Sequence, residues 1–219
     1  MIGRSELFIL NEQDIEGLIK FMRLAAQLKA VRRQGWVDRG VGDPESSADH
    51  SWAVAIFAWA LASEREGLDP TRVMLLALLH DLPEALAGDA TPFDRYRGAD
   101  GMITSEHFHG SPTYDDLESH QKHQREREAL QEMIAGLPGQ LSERIVDAWE
   151  EYTAGTTAES QFVRQVDKLE TLLQAELYRE QQREVVIESF RTGTDRDVSD
   201  PILRRVLEGI IDRRMKSRG

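Results

Sequence analysis

The sequence predicts an all-α fold. Apolar residues recur at 3-4 spacing through most of the chain, no segment alternates apolar and polar as a strand would, and Asp-Pro pairs stand where helices would begin. In chain order, Ile15, Leu18, Ile19, Met22, Ala25, Ala26 and Lys29 trace an amphipathic helix over about residues 12–31. Asp43-Pro44-Glu45 predicts a helix start, with Asp as cap and Pro in the first turn. The WAVAIFAWALA segment that follows, residues 52–62, is apolar on every side, which predicts a central buried helix. Asp69-Pro70 repeats the start signal and opens the helix of VMLLALLHDL, residues 73–82. Residues 88–117 are rich in Gly, Pro, Asp and Ser without a period and form the long loop, whose place directly after Asp89 suggests a lid.

From 118 onward the pattern is helical again. ESHQKHQREREALQEMIAGLP is a charged helix with an apolar side only at its end, and LSERIVDAWEEYTAG is a second. AESQFVRQVDKLETLLQAELYRE is a third, with Phe162, Val166, Leu169 and Leu173 as its core stripe. A last helix, about 198–216, carries Ile202, Val206 and Ile210 and ends in basic residues, as the helix dipole favours. The 219 residues suit one domain over 1–219, with a core over about 12–190. No helix presents an unambiguous unused apolar face.

With 27 basic and 39 acidic residues the net charge is −12, which opposes a nucleic-acid scaffold because that role needs a basic face. A small anionic substrate stays open, given a metal or a few arginines to reverse the local field. There is no cysteine, hence no disulfide, thiolate nucleophile or thiolate metal site. The LFIL run at 7–10 is too short for a signal h-region, and the longest apolar run, Trp52–Ala62, falls short of the roughly 18 residues of a membrane span. A cytoplasmic protein without membrane contact is expected.

The chemistry-bearing signal is LLALLHDLPEALAGD, residues 75–89, where an apolar helix runs straight into His80 and Asp81. His80 and Glu84 lie four apart on one helical face, Pro83 breaks the helix just past the His-Asp pair, and Gly88 suits a C-terminal cap that brings Asp89 near the same end. Charged groups are costly to bury unless paired or metal-bound, so three acids around one imidazole call for a cation. Two further polar intrusions could complete a ligand set: His50, in DPESSADHSW at the mouth of the apolar run, and Asp167, beside core position Val166. His50, His80, Asp81 and Asp167 give an N/O set suited to Mn, Co, Fe, Ni, Zn or Mg. His107, His109, His120 and His123 stand among polar residues and are expected to be solvated, Trp149 is expected in the core, and Lys168 is expected at the surface beside Asp167. Neither GxxxxGK[ST] nor GxSxG occurs, which leaves P-loop and serine-hydrolase readings without support.

The H…HD…D pattern resembles the HD-domain metal-dependent phosphohydrolases. VRRQGWVDRGVGDPESSADHSW, LLALLHDLPEALAGDATPFD, HQREREAL, WEEY and FVRQVDKLE, in that order over roughly residues 20–180, resemble one branch, the 5′-deoxynucleotidases. The resemblance implies one divalent metal held by His50, His80, Asp81 and Asp167 in a helical bundle. It implies acid-base and water- or substrate-positioning roles for Glu84 and Asp89, and phosphate binding by Arg33. In the best-known enzymes of the branch an arginine directly precedes the tryptophan that excludes a ribose 2′-hydroxyl; here Gln34-Gly35 separates Arg33 from Trp36, as in another subgroup. Thr91, in the turn Asp89-Ala90-Thr91-Pro92, matches the segment lining the sugar-phosphate pocket. The expected function is removal of phosphate from nucleoside 5′-monophosphates, the 2′-deoxy forms foremost, by a homodimer. The rivals are another HD hydrolase acting on cyclic nucleotides, deoxynucleoside triphosphates or alarmones, and a non-catalytic metal- or nucleotide-binding module.

Overall fold

The computed structural model describes residues 10–216, so most of the LFIL run lies outside the described residues, as do the side chains of the basic C-terminal end. Among the described residues there are helices and a single isolated bridge, Arg32 to Ser46, and no strand. α1 is Glu12–Ala25, α2 Gln34–Val37, α3 Ser47–Ser63, α4 Pro70–Leu79 and α5 Glu84–Ala87. α6 is Asp116–Ile134, α7 Gly139–Ala154, α8 Ala158–Gln181, α9 Glu188–Asp197 and α10 Pro201–Lys216.

Most starts follow local capping chemistry. Asp69 accepts from the backbone N–H groups of Thr71 and Arg72, with Pro70 as first helical residue, as predicted for α4. α3 begins later than Asp43-Pro44-Glu45 suggested. Ser46 and Asp49 form a capping box there, and residues 43–45 stay outside the helix, with Glu45 held by Trp36 and Tyr178. The helix expected over 12–31 tightens into a 3-10 segment at Ala26–Ala30. Two short helices went unforeseen: α2, one turn long, and α9, whose sequence ESFRTGTDRD carries few apolar residues.

The principal core gathers Val54, Ala58 and Ala62 of α3, Val73, Leu76 and Ala77 of α4, and Phe162, Val166, Leu169 and Leu172 of α8. Leu172 rather than Leu173 closes the stripe of α8, while α10 contributes Leu203 and Leu207 and leaves Ile202 half exposed. A second cluster, with Leu130, Met133, Ile145 and Trp149, joins α6 and α7 to Leu82 and Ala85 around α5. α1 docks here through Gly17, where an added Cβ would stand 1.8 Å from the carbonyl oxygen of Gly136.

Two expectations about apolar faces fail. α3 is not buried all round: Trp52, Ile56, Phe57 and Trp59 are exposed, with Trp52 at 64%. On α1, Ile15, Ile19 and Met22 are likewise exposed, the core side being Leu18, Phe21 and Leu24. An all-apolar helix can thus carry one face for the core and another that is unused within the described chain.

The long loop has its own fastening. Phe93, Ile103 and Phe108 form a small cluster, and the Arg39 guanidinium sits over the rings of Phe93, Phe108 and Phe190 at 4.9, 4.1 and 4.3 Å. Arg39 also donates to Gly35 O, Val186 O and Ser189 Oγ, so one side chain ties α2, the loop and α9 together. Arg97 pairs with Asp38, and the Tyr114 hydroxyl donates to Ala90 O at 2.6 Å.

Candidate metal and phosphate site

The site forms where α3, α4 and α8 meet, because each carries a polar residue on an otherwise apolar face. α4 ends at Leu79, the chain turns through residues 80–83, and α5 restarts at Glu84 and is capped by Gly88 at φ 76°. The break at Pro83 lets His80, Asp81 and Glu84 face one region instead of spreading around a continuous helix. His50 is fully buried, and His80 and Asp167 are 6% exposed.

His50, His80 and Asp167 each place a ligand atom within 4.8 Å of the others. His50 Nε2 lies 3.1 Å from Asp167 Oδ1 and 3.8 Å from Asp81 Oδ2, and Asp81 Oδ2 is 3.2 Å from His80 Nε2. All four residues predicted as ligands are therefore together, His50 from α3, Asp167 from α8, and His80 and Asp81 from the turn that follows α4.

The tautomers follow from the outer partners. His80 Nδ1 donates to Ala77 O at 2.7 Å, which turns the Nε2 lone pair inward. That Nε2 is buried without a hydrogen-bond partner. His50 Nδ1 donates to Glu170 Oε2 at 2.6 Å, directing its Nε2 the same way. A buried orphan lone pair beside two carboxylates and a second imidazole is the donor set of a divalent cation site, and the residues fit one. Burial pushes the His50 imidazole down, but Asp167 and Glu170 overcome it and raise the pKa to about 10, so a cation bound here would displace the Nε2 proton that Asp167 otherwise accepts. Burial pushes Asp167 up, yet Lys168, His50 and His80 hold it well below the usual carboxylate range.

The remaining residues stand around this cluster. Arg33 Nη1 reaches Asp81 Oδ2 at 3.1 Å and Asp89 Oδ1 at 3.7 Å. Burial lowers its pKa, but Asp89, Asp81, Glu84 and Asp167 together raise it well above the ordinary value. Asp89 Oδ2 also accepts the backbone N–H of Gln34 at 2.7 Å, so it holds the start of α2 and aims Arg33. Glu84 is 2% exposed and accepts from Ser47 Oγ at 2.7 Å; burial first, then Asp81 and Asp89, push its carboxyl well up. Thr91 Oγ1 accepts from Phe93 N, fixing the turn at the cavity edge.

Trp36 stands apart from the other predicted residues. Its ring is 1% exposed, packed on Tyr178 and Phe190, and its Nε1–H donates to Glu45 Oε1 at 2.9 Å. The indole borders the cavity with its polar atom already engaged.

Sequence reasoning missed Ser47, Glu170, Lys122 and the position of the WEEY block. Tyr152 sits 5.0 Å from the His80 ring, with its hydroxyl 3.4 Å from Asp167 Oδ2, while Glu151 pairs with Arg72 and accepts from Thr157. The 167–170 spacing places Asp167 and Glu170 one turn apart on α8, the signal that could have exposed the second carboxylate. His123 is not simply solvated: it stacks on Trp149 at 5.0 Å, and its Nδ1 is buried without a partner.

Arg33, His80, Asp81, Glu84, Asp89 and Asp167 open on one cavity of about 1000 Å³. A cavity walled by metal-ligand types, a buried carboxyl and a cationic fork defines a metal-dependent phosphohydrolase type of site. The chain belongs to the HD-domain family, whose model, described as HD domain, matches residues 25–204. Within that family it is similar to proteins named 5′-deoxynucleotidase HDDC2. The one from Homo sapiens is 36% identical over 74% of this chain and 68% of its own length. The one from Xenopus laevis is 32% identical over 91% of this chain and 88% of its own. Among solved structures, a conserved hypothetical protein from Pyrococcus furiosus superposes with a TM-score of 0.64 at 26% identity, covering 89% of this chain and 99% of that one. A protein from Magnetospirillum magnetotacticum described as a predicted metal-dependent phosphohydrolase gives a TM-score of 0.63 at 23% identity over 94% of each chain, a likeness of fold. No helix among the described residues is long and apolar enough to cross a membrane.

Proposed function

We propose that this chain is a metal-dependent 5′-nucleotidase that releases phosphate from 2′-deoxynucleoside 5′-monophosphates in the cytoplasm. The observation that carries the reading is the clustering of His50, His80, Asp81 and Asp167 beside a cavity that Arg33 and Glu84 line. Membership of the HD-domain family, and similarity to relatives named 5′-deoxynucleotidase, select the substrate class.

His50, His80, Asp81 and Asp167 would hold one divalent cation, with Mn, Co, Fe, Ni, Zn and Mg all compatible with the ligand set. Such a cation, when bound, polarises a phosphoryl oxygen and makes water more acidic. Arg33, kept charged and aimed by Asp89, binds the phosphate oxygens and offsets the charge that accumulates on them. Glu84, pushed up by burial and its acidic neighbours, holds the proton that the departing 5′-oxygen requires. Water adds to phosphorus as the P–O5′ bond breaks, the 5′-oxygen takes the Glu84 proton, the proton released by the water returns to the Glu84 carboxylate, and inorganic phosphate and the nucleoside leave. Thr91 lines the sugar side of the cavity, and Trp36 shapes the wall through its packing.

The enzyme pairs as a homodimer through the outer face of α3, where Trp52, Ile56 and Trp59 form an apolar surface that water would otherwise wet. Phosphate release from a panel of deoxy- and ribonucleotide mono- and triphosphates, with each metal, tests the substrate assignment. Preferential turnover of deoxynucleoside monophosphates is expected. Equal turnover of ribo forms would remove the sugar selectivity, and selective hydrolysis of triphosphates would replace the substrate.

A further inference from the structure

We propose that Lys122 of α6 is a substrate-contacting residue, its ammonium donating to the phosphate oxygens of the nucleotide from the α6 side of the cavity. The inference rests on the nucleotidase reading and adds a residue that the HD ligand pattern does not contain.

With Glu84 protonated, Asp81, Asp89 and Asp167 bring three negative charges to the cavity, which one divalent cation and Arg33 would just balance. A phosphate monoester adds about 1.5 to 2 more negative charges near neutral pH. Further positive charge is needed in the wall.

The other cations of that wall are already committed to partners within the protein. Arg39 is spent on Gly35, Val186, Ser189 and three aromatic rings. Arg164 donates to the carbonyls of Tyr152 and Thr153, and Arg196 to Asp197 and Ser111 O. Lys168 pairs with Asp167 and keeps 46% of its side chain in solvent. Lys122 differs from all of these. Its side chain is 24% exposed, and its one hydrogen-bond acceptor is Glu126, one turn along α6. An ammonium carries three donors, so two remain for a ligand.

The electrostatics agree. Burial lowers the ammonium's pKa, but Glu126, Glu84 and Asp81 more than offset it and raise it, so Lys122 enters the site charged. From the other side, Arg33 and Lys122 are the two cations that pull the Glu84 carboxyl down against burial and its acidic neighbours. Glu84, the residue placed nearest the leaving oxygen, thus stands within the field of two cations, one on α6 and one at the start of α2.

The test uses metal-loaded protein, with inorganic phosphate as probe in calorimetry and a deoxynucleoside monophosphate in steady-state kinetics. Lys122→Met is expected to weaken phosphate binding and raise KM by roughly 10- to 100-fold, the scale of a lost charged hydrogen bond, with metal content unchanged. Lys122→Arg should recover much of the loss. Glu126→Gln removes the helix pair and should leave phosphate affinity near that of the wild type. If Lys122→Met and Glu126→Gln both lower Tm while phosphate affinity and KM stay put, Lys122 is only a helix-pairing residue and the proposal is overturned. Should Lys122→Met not fold, unchanged phosphate affinity in Lys122→Gln overturns it equally. If the wild type binds phosphate in a Lys122-dependent way yet hydrolyses no nucleotide, the nucleotidase reading fails while the Lys122 assignment stands.

Discussion

The two faces of α3 have nearly the same apolar composition and opposite fates. On the inner face Val54, Ala58 and Ala62 are fully buried, and His50 is buried among carboxylates. On the outer face Trp52, Ile56 and Trp59 stand in solvent. Hydrophobicity does not tell these faces apart; side-chain volume and one polar intrusion do. Small residues let α4 and α8 approach closely and bring His80 and Asp167 up to His50, whereas the large aromatic residues wait for a partner.

Substitutions can break that contrast, and the largest effect should come from the inner face. Asp167→Ala removes a carboxylate from the proposed ligand set and leaves His50 Nε2 without its neighbour. Metal content measured after dialysis should fall to background, with turnover lost. Glu84→Gln touches the same cavity without touching the ligand set, so it should keep the metal and lose most turnover, the scale for general acid catalysis being about 10²- to 10⁴-fold. Full activity in that variant would end the acid role. Next comes the outer face. Trp52→Glu combined with Trp59→Glu should leave metal content and far-ultraviolet dichroism as they were while converting dimer to monomer, read by sedimentation, since truncating an aromatic hot spot costs about 2 kcal/mol or more. A wild-type monomer would remove the partner from the argument altogether.

The smallest effect lies away from both faces. Asp200 caps α10 through the N–H groups of Ile202 and Leu203 and pairs with Arg65. Burial raises its carboxyl, but Arg65 and the two N–H groups prevail and lower it. The folded-state value therefore lies below the unfolded one, so the stabilisation is present above the unfolded pKa and lost as pH falls through the folded value. Asp200→Ala should cost about 1 kcal/mol near neutral pH and less in acid, as read by denaturant unfolding at two pH values.

How legible these features were depended on whether the signal was local. The α4 start was written in Asp69-Pro70, and the break in Pro83, because a cap and a missing N–H act within one turn. His50, His80, Asp81 and Asp167 were legible because each is a polar residue interrupting an apolar stretch. Glu170 and Lys122 sit in charged sequence, where a buried carboxylate or a cavity-facing ammonium looks like any surface residue. α9 was hidden because its few apolar contacts are long-range, with Phe190 packing on Trp36. The exposure of Trp52 and Met22 was hidden for the opposite reason, since an apolar residue does not announce which surface it will meet.

The fastening of the long loop by Arg39 has a kinetic consequence. A guanidinium held by three rings and three acceptors cannot swing aside without giving up contacts to α2, the loop and α9 at once. A loop that works as a lid has to break all of them in each cycle, so amide exchange over residues 93–108 should be fast without nucleotide and slow with it if the loop opens, and slow in both if Arg39 keeps it shut in place.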